Sequence, residues 1–318
     1  MQRGVYIHLR LVNLYLCTLY PAVVLRGETI GNNVIEDTVV SLLKEAVISL
    51  PKDVLSALKE AEKKERSQIA KIQLRTILDN INAAGSLIVP MCQDTGIHVF
   101  FVSGRIIPGM EEQIRAGTLR ATNEIPLRPN AVHPLTRENP GTNVAEGLPY
   151  VVYHPSSADY TEITVMPKGA GSENMTALAM LTPSQGIKGV KKFILDTVIN
   201  AGGKPCPPTI LGIGIGGTAD EAMALSKKAL LRPLDQRNAD QSVAELESEL
   251  YEALNLTGIG PMGLGGDTTT LGVNIEIAYC HTASLPVAVN LQCWAGRRAT
   301  ARIYTDGRVE YLTRRDSE

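Results

Sequence analysis

The sequence predicts a mixed α/β fold of the α+β kind, with short sheets flanked by helices, and three observations carry that expectation. Helical and strand periodicities follow one another along the chain with no internal repeat and no low-complexity linker. Apolar residues make up 44% and charged residues 20% of 318 residues, enough to bury a sizeable core in a globular unit. The run PPTILGIGIGGTADEAMALSKKALL (207–231) passes from a strand through a glycine turn into a helix.

The elements follow in order. Residues 1–33 form an extension apart from the globular unit expected over 34–318. In it Arg3 and Arg10 precede the apolar stretch 11–25. Asn13 and Thr18 interrupt that stretch, Pro21 breaks it and no A-x-A site follows, so it is not read as a secretory signal. It is also too short to span a bilayer. A poorly ordered extension, or a start placed too early, is the expectation. Residues 34–66 read as helical, with Val39, Val40, Leu42, Leu43, Ala46 and Val47 on one face and Pro51 where a second helix starts. A third helix over 67–84 ends at Gly85, a C-cap residue. Strands follow at 86–90 and 97–102, then a helix at 110–123. Segment 124–149, rich in Pro, Asn and Gly, is expected as an ordered loop. Strands near 149–153 and 161–166 precede helices at 173–181 and 186–200. After the 207–231 run comes a helix over 244–254, then a glycine-rich stretch from Gly258 and strands near 285–291 and 298–304. Asp306-Gly307 marks a hairpin before a final strand.

Charge and composition exclude several functions. Lys+Arg is 31 and Asp+Glu 33, a net charge of −2, so no basic surface for a nucleic-acid backbone is indicated. One Trp and three Phe argue against a base-stacking platform. No other apolar stretch is long enough to be transmembrane. Five widely spaced cysteines form neither a disulfide framework nor a CxxC pair. Reduced thiols and a cytoplasmic location are expected.

Three of those cysteines lie in turn-like segments beside short apolar strands: Cys92 in PMCQDTG, Cys206 in GGKPCPPT and Cys293 in LQCWAGRR. Three thiolates at loop tips suit iron, and a [4Fe–4S] cluster held by three cysteines leaves one iron without a protein ligand. Buried inert thiols are the other reading. Cys17 lies in the extension, and Cys280 ends the strand-like run VNIEIAYC. A second motif is Gly212, Gly214 and Gly217, which spell G-x-G-x-x-G between strand and helix. The dinucleotide fingerprint also needs an acidic residue ending a second strand about 20 residues on. LRPLDQRNADQS stands there instead, so close strand–helix packing is the favoured reading of these glycines.

Taken together, nine segments are specific: CQDTG (92–96), LRPNAVHPL (127–135), GTNVAEGLP (141–149), KGAGSENMTAL (168–178), CPP (206–208), GIGIGGTADEA (212–222), GIGPMGLGGDTT (258–269), HTASLPVAV (281–289) and CWAGRR (293–298). On them the chain resembles, from about Glu36 to Tyr304, the alpha subunit of two-subunit class I (iron–sulfur) fumarate hydratases, within the fumarase/L-tartrate dehydratase hydro-lyases. The resemblance implies the N-terminal-type domain of that family and a catalytic [4Fe–4S] cluster on Cys92, Cys206 and Cys293. It implies substrate contacts at Gln93 and Asp94, and a carboxylate-binding Arg128, whose planar fork suits that task. It also implies a pocket-lining loop over Lys168, Gly169, Gly171 and Ser172, and a histidine near the site at His281. Asp94 and His281 are the expected catalytic residues, Asp94 as general acid or base or as a holder of the substrate hydroxyl.

On the residues alone, Asp94 also reads as an Asx-turn residue before Gly96, Arg128 as a surface arginine and Lys168 as an exposed loop lysine. His98, on its apolar strand, reads as a structural histidine, and His133 has no assigned role. The reaction implied is the interconversion of (S)-malate and fumarate plus water. L(+)-tartrate dehydration is the alternative, and a nucleotide-binding or redox-regulatory protein is the alternative of another class. The loop MPKGAGSENMTAL favours malate/fumarate. Single-chain family members carry a second domain that this chain lacks, so a separate beta subunit in an α2β2 assembly is implied, and the chain alone is expected to turn over poorly.

Overall fold

Two small sheets, each backed by its own helices, organise residues 33–313, which the computed structural model describes. The extension expected over residues 1–33 lies outside the described residues except for Asn33. The chain begins with α1 (Val34–Ile48), α2 (Lys52–Lys64) and α3 (Gln68–Leu87), then β1 (Ile97–Gly104) and α4 (Met110–Glu124). Next come β2 (Tyr150–Pro155), β3 (Tyr160–Lys168), the single turn α5 (Ala170–Glu173) and β4 (Ala177–Leu181). α6 (Gly186–Ala201), β5 (Thr209–Ile215), α7 (Ala219–Ala229) and α8 (Gln241–Asn255) follow. β6 (Thr270–Ile277), β7 (Leu285–Gln292), β8 (Ala299–Tyr304) and β9 (Val309–Tyr311) close the chain.

The first sheet has the order β2-β1-β3-β8-β9; β1 and β2 are parallel and the other pairs antiparallel. The second has the order β4-β7-β5-β6, parallel only between β5 and β6. β1 is a nearly unbroken apolar run because both of its faces are covered. Phe100 and Val102 pack with α1 and α4, while Val99 and Phe101 pack with α2 and α3. That second cluster also takes in Ile210, Leu230 and Trp294, and so joins the two sheets. A third cluster holds α6 and α8 on the second sheet. Among the described residues no helix is long and apolar enough to cross a membrane.

Two expected elements differ. The segment expected as a helix at 173–181 instead closes one turn and becomes strand β4, paired antiparallel with β7 through Ala177↔Val289 to Leu181↔Leu285. Ala, Leu and Met favour helix, but the backbone pairing available at the edge of β7 outweighs that local preference. The strand expected at 86–90 does not form either. α3 runs through Gly85 to Leu87, Ile88 takes a left-handed conformation, and the Val89 amide donates back to the Ala84 carbonyl. Residues 86–89 are exposed and pair with no described strand. The 124–149 segment is the ordered loop expected: buried Asn143 accepts from the Asn130 amide and donates to the Arg128 carbonyl.

The glycine fingerprint is packing. Gly212 and Gly214 face α7 so closely that a Cβ on either would run into the carbonyls of Ser226 and Ala222. The helix N-terminus beyond them carries Asp220 and Glu221, charges that repel a phosphate.

Candidate active site

The three loops that carry Cys92, Cys206 and Cys293 meet at the edge of the apolar cluster joining the two sheets. The first loop links α3 to β1. The Met91 amide donates to Val47 O, and Asn80 Nδ2 donates to Met91 O, so the residue before Cys92 is fixed on both sides. The second precedes β5, and the third follows β7, its antiparallel neighbour. The Trp294 amide donates to the Cys206 carbonyl at 3.1 Å, tying the second loop to the third. The three thiols are free and partly exposed. Burial pushes the Cys206 thiol up, and the charges of Cys293 and Cys92 push it further. Burial also pushes Cys293 up. Cys280 is elsewhere, on the exposed turn between β6 and β7.

Among the described residues no group of three or more His, Cys, Asp or Glu side chains converges as ligands of a metal ion. A single ion needs every sulfur about 2.3 Å from one point. An iron–sulfur cluster instead takes each thiolate on a different iron, so its ligands stand apart. Three soft thiol donors on converging loops fit the cluster better than a lone ion.

Beside these loops lies a cleft of about 650 Å³ whose lining includes Gln93, Asp94, Arg128, Asn130, Lys168 and Lys227. The cysteines do not line it; they adjoin it through the Cys92–Asp94 loop. Asp94 is held by both carboxylate oxygens. Oδ1 accepts from the Gly96 amide at 2.9 Å, the Asx turn read in the sequence, and Oδ2 accepts from the Ala170 amide at 2.8 Å. Gly96 has a φ of +84°, and a Cβ there would stand 2.7 Å from the Lys168 nitrogen, so glycine is required between β1 and β3. Thr95 Oγ1 accepts from the Arg128 amide at 3.0 Å and so brings the 124–149 loop to the cleft. Arg128 is exposed, and its guanidinium bonds to no other described residue. Gln93 is exposed in the cleft as well.

Lys168 is not the exposed loop lysine that its glycine-rich neighbours suggest. It is 3% exposed, and Nζ donates to Ser172 Oγ at 2.9 Å and to the Leu291 carbonyl at 2.7 Å. Burial lowers its pKa to about 8, against the pull of Glu173, which stands 3.1 Å away. Glu173 also pairs with Lys227 at 2.6 Å. Burial alone would raise Glu173, but the two lysines outweigh it and hold the carboxyl below its usual range. Gly169 sits against Asp94, Gly171 against the Lys204 carbonyl, and Ser172 is buried under Lys168, so this segment backs the cleft more than it lines it.

His281 does not join the site within the chain. It lies on the exposed turn that precedes β7, and Cys293 follows the other end of that eight-residue strand. At about 3.3 Å per residue the strand alone separates them by roughly 25 Å. Its Nδ1 accepts from the Ala283 amide, a local turn bond. Twelve positions in sequence carry no distance when a strand lies between. His133 likewise accepts from the Leu135 and Thr136 amides in its own exposed loop.

Sequence reading missed Arg297. It is 2% exposed, and Nη1 donates to the Asp94 carbonyl at 2.8 Å. The doubled arginine in CWAGRR after a turn cysteine is the only signal it gives.

His98 is buried as its apolar strand implied, but its hydrogen bonds are not satisfied. It is buried with neither ring nitrogen bonded, and burial, then Arg297, lowers its pKa to about 3. The unfolded chain therefore binds a proton between pH 6.5 and 3 that the folded chain refuses, and stability falls with acidification across that window. The expected slope from this group is up to about 1.4 kcal/mol per pH unit. Urea unfolding from pH 7 to 3.5 should show it, and His98→Leu should remove it; an unchanged slope in the variant would assign the acid sensitivity elsewhere.

Residues 36–302 match the family model described as fumarate hydratase (Fumerase). A Methanocaldococcus jannaschii protein named "Putative L(+)-tartrate dehydratase subunit alpha" is 55% identical over 283 residues, covering 86% of this chain and 99% of that protein. The L(+)-tartrate dehydratase subunit alpha of Escherichia coli K12 is 38% identical over 270 residues, covering 83% of this chain and 89% of its own length.

Proposed function

Because the chain belongs to the fumarate hydratase family of hydro-lyases, we propose that it is the alpha subunit of a [4Fe–4S] enzyme that interconverts (S)-malate and fumarate plus water. One observation supports the reading above others: Gln93, Asp94, Arg128 and Lys168 line one cleft beside the convergence of three free thiols. In this reading Cys92, Cys206 and Cys293 hold the cluster. When bound there, it supplies Lewis-acid chemistry for a leaving hydroxyl at an iron without a protein ligand.

The chain's own residues do the rest. Arg128 offers a free planar fork to one carboxylate of a dicarboxylate, and Lys168 and Lys227 add positive charge across the cleft. Binding both ends of a four-carbon diacid fixes its orientation, which is much of what a dehydration needs. Asp94 accepts two backbone amides and keeps lone pairs for a substrate proton, either at the hydroxyl or at C3. Those same two bonds lock its direction. Gln93 contacts the substrate beside it.

L(+)-tartrate is the second reading, favoured by the names of the relatives. The 168–178 segment favours malate. Relatives named as alpha subunits also support a separate beta subunit, which would supply the remaining proton-transfer and carboxylate-binding groups. The test is an anaerobic assay of the chain purified with that partner, with fumarate formed from (S)-malate and oxaloacetate from L(+)-tartrate followed separately. A kcat/KM at least about tenfold higher for malate is expected. The reverse ratio would reassign the substrate to tartrate, and full turnover by the chain alone would end the two-subunit reading.

A further inference from the structure

CWAGRR carries two adjacent buried arginines with opposite electrostatic situations. Arg298 has its carboxylate: Nη2 lies 2.7 Å from Asp53 Oδ2, and both side chains are less than a tenth exposed. Arg297 has none. It is the bulkiest fully buried side chain among the described residues. Its guanidinium has one neutral partner, the Asp94 carbonyl, and its Nε is buried without a hydrogen bond. No described carboxylate forms an ion pair with it. A buried charge without a counter-charge is costly, and proteins pair such groups or set them against a bound ion.

The surroundings offer no other compensation. His98, its neighbour, is neutral. Lys168 is positive and already paired with Glu173. Asp94, whose carbonyl Arg297 bonds, turns its carboxylate to the amides of Gly96 and Ala170. What remains beside it are the cysteine sulfurs, which are thiolates when they ligate iron. Arg297 follows Cys293 by four residues in one loop, and the carbonyl that its Nη1 bonds belongs to Asp94, two residues after Cys92.

We propose that Arg297 is the buried counter-charge of the anionic iron–sulfur group held by Cys92, Cys206 and Cys293, and that it fixes the potential and the retention of that group. The inference rests on the cluster reading given above. It makes the guanidinium a positioning and electrostatic residue, with no contact to substrate required. Its charge has no counter-charge among the described residues, and the anionic group held by the three sulfurs would supply one. Net charge near a cluster is one of the factors that set its potential.

The experiment compares the full chain with Arg297→Met and Arg297→Lys, each apo and after anaerobic reconstitution with iron and sulfide. Thermal unfolding, iron content and the midpoint potential are read. Apo Arg297→Met is expected to melt at or above apo wild type, because a buried lone charge is gone. On reconstitution the wild type should gain more in Tm than Arg297→Met, and the variant's potential should be more negative or its iron lost sooner. Arg297→Lys should restore the wild-type potential in large part. An apo Arg297→Met that melts well below wild type or fails to fold, or a loaded variant with unchanged potential and unchanged Tm gain, would overturn the proposal and leave Arg297 a structural tie to Asp94. Wild-type chain that takes up no iron would instead overturn the cluster reading, and this proposal with it.

Discussion

Cys92→Ser, Cys206→Ser and Cys293→Ser are each expected to lose the iron and acid-labile sulfide that anaerobically prepared wild type retains, at about four of each per chain. Activity with the partner subunit should fall on the order of a thousandfold or more, since Lewis-acid stabilisation of a leaving oxygen is worth several kcal/mol. The fold should survive. All three thiols are partly exposed at the rim of the apolar cluster, so exchanging sulfur for oxygen opens no core cavity. Cys280→Ser is the internal control: its thiol is exposed on the turn before β7 and should alter neither iron content nor rate. Iron and sulfide analysis with circular dichroism on the same samples checks this. A variant among the three that keeps full iron content would remove that residue from the ligand set.

The second large effect is expected at Asp94. An asparagine has one acceptor oxygen where the carboxylate has two. It can satisfy the Gly96 amide or the Ala170 amide but not both, and its NH₂ group would face whichever amide is left. Asp94→Asn should therefore cost about 1–3 kcal/mol of stability through the unsatisfied donor. Loss of the proton-transferring group should lower kcat by roughly a hundredfold to ten-thousandfold with iron content unchanged. The pair of readouts matters. A stability loss with unaltered kcat would reduce Asp94 to a turn residue, the plainer of its two sequence readings.

Much of this was legible in the chain. α1, α4, α6 and α8 bury apolar faces with helical spacing, and β1 is an apolar run of strand length. The Asp306-Gly307 turn was marked by its dipeptide, and Arg308 N donates to Asp306 Oδ1 there. What failed was decided by partners distant in sequence. ALAML at 177–181 has helical residues but lies against β7 more than a hundred positions later. Gly85 resembles a helix end because glycine is permissive, yet the helix passes through it and Ile88 makes the turn. At the site, the Asx turn of CQDTG was readable because an aspartate two residues before a glycine makes that bond locally. The burial of Lys168, the isolation of Arg297 and the remoteness of His281 depend on which strand crosses which, and no local pattern encodes that.

The strand order β4-β7-β5-β6 has a consequence for how the protein is made. β7 is the last of the four to leave the ribosome, yet it occupies an interior place in the sheet, between β4 and β5. Until it arrives β4 has no partner in the sheet, and Cys293, directly after β7, does not yet exist beside Cys206. Two of the three thiols are therefore synthesised long before the third can join them. On the proposed cluster reading, a chain interrupted before Cys293 has an incomplete ligand set, so iron capture would be a proofreading step that only a chain carrying β7 and Cys293 can pass.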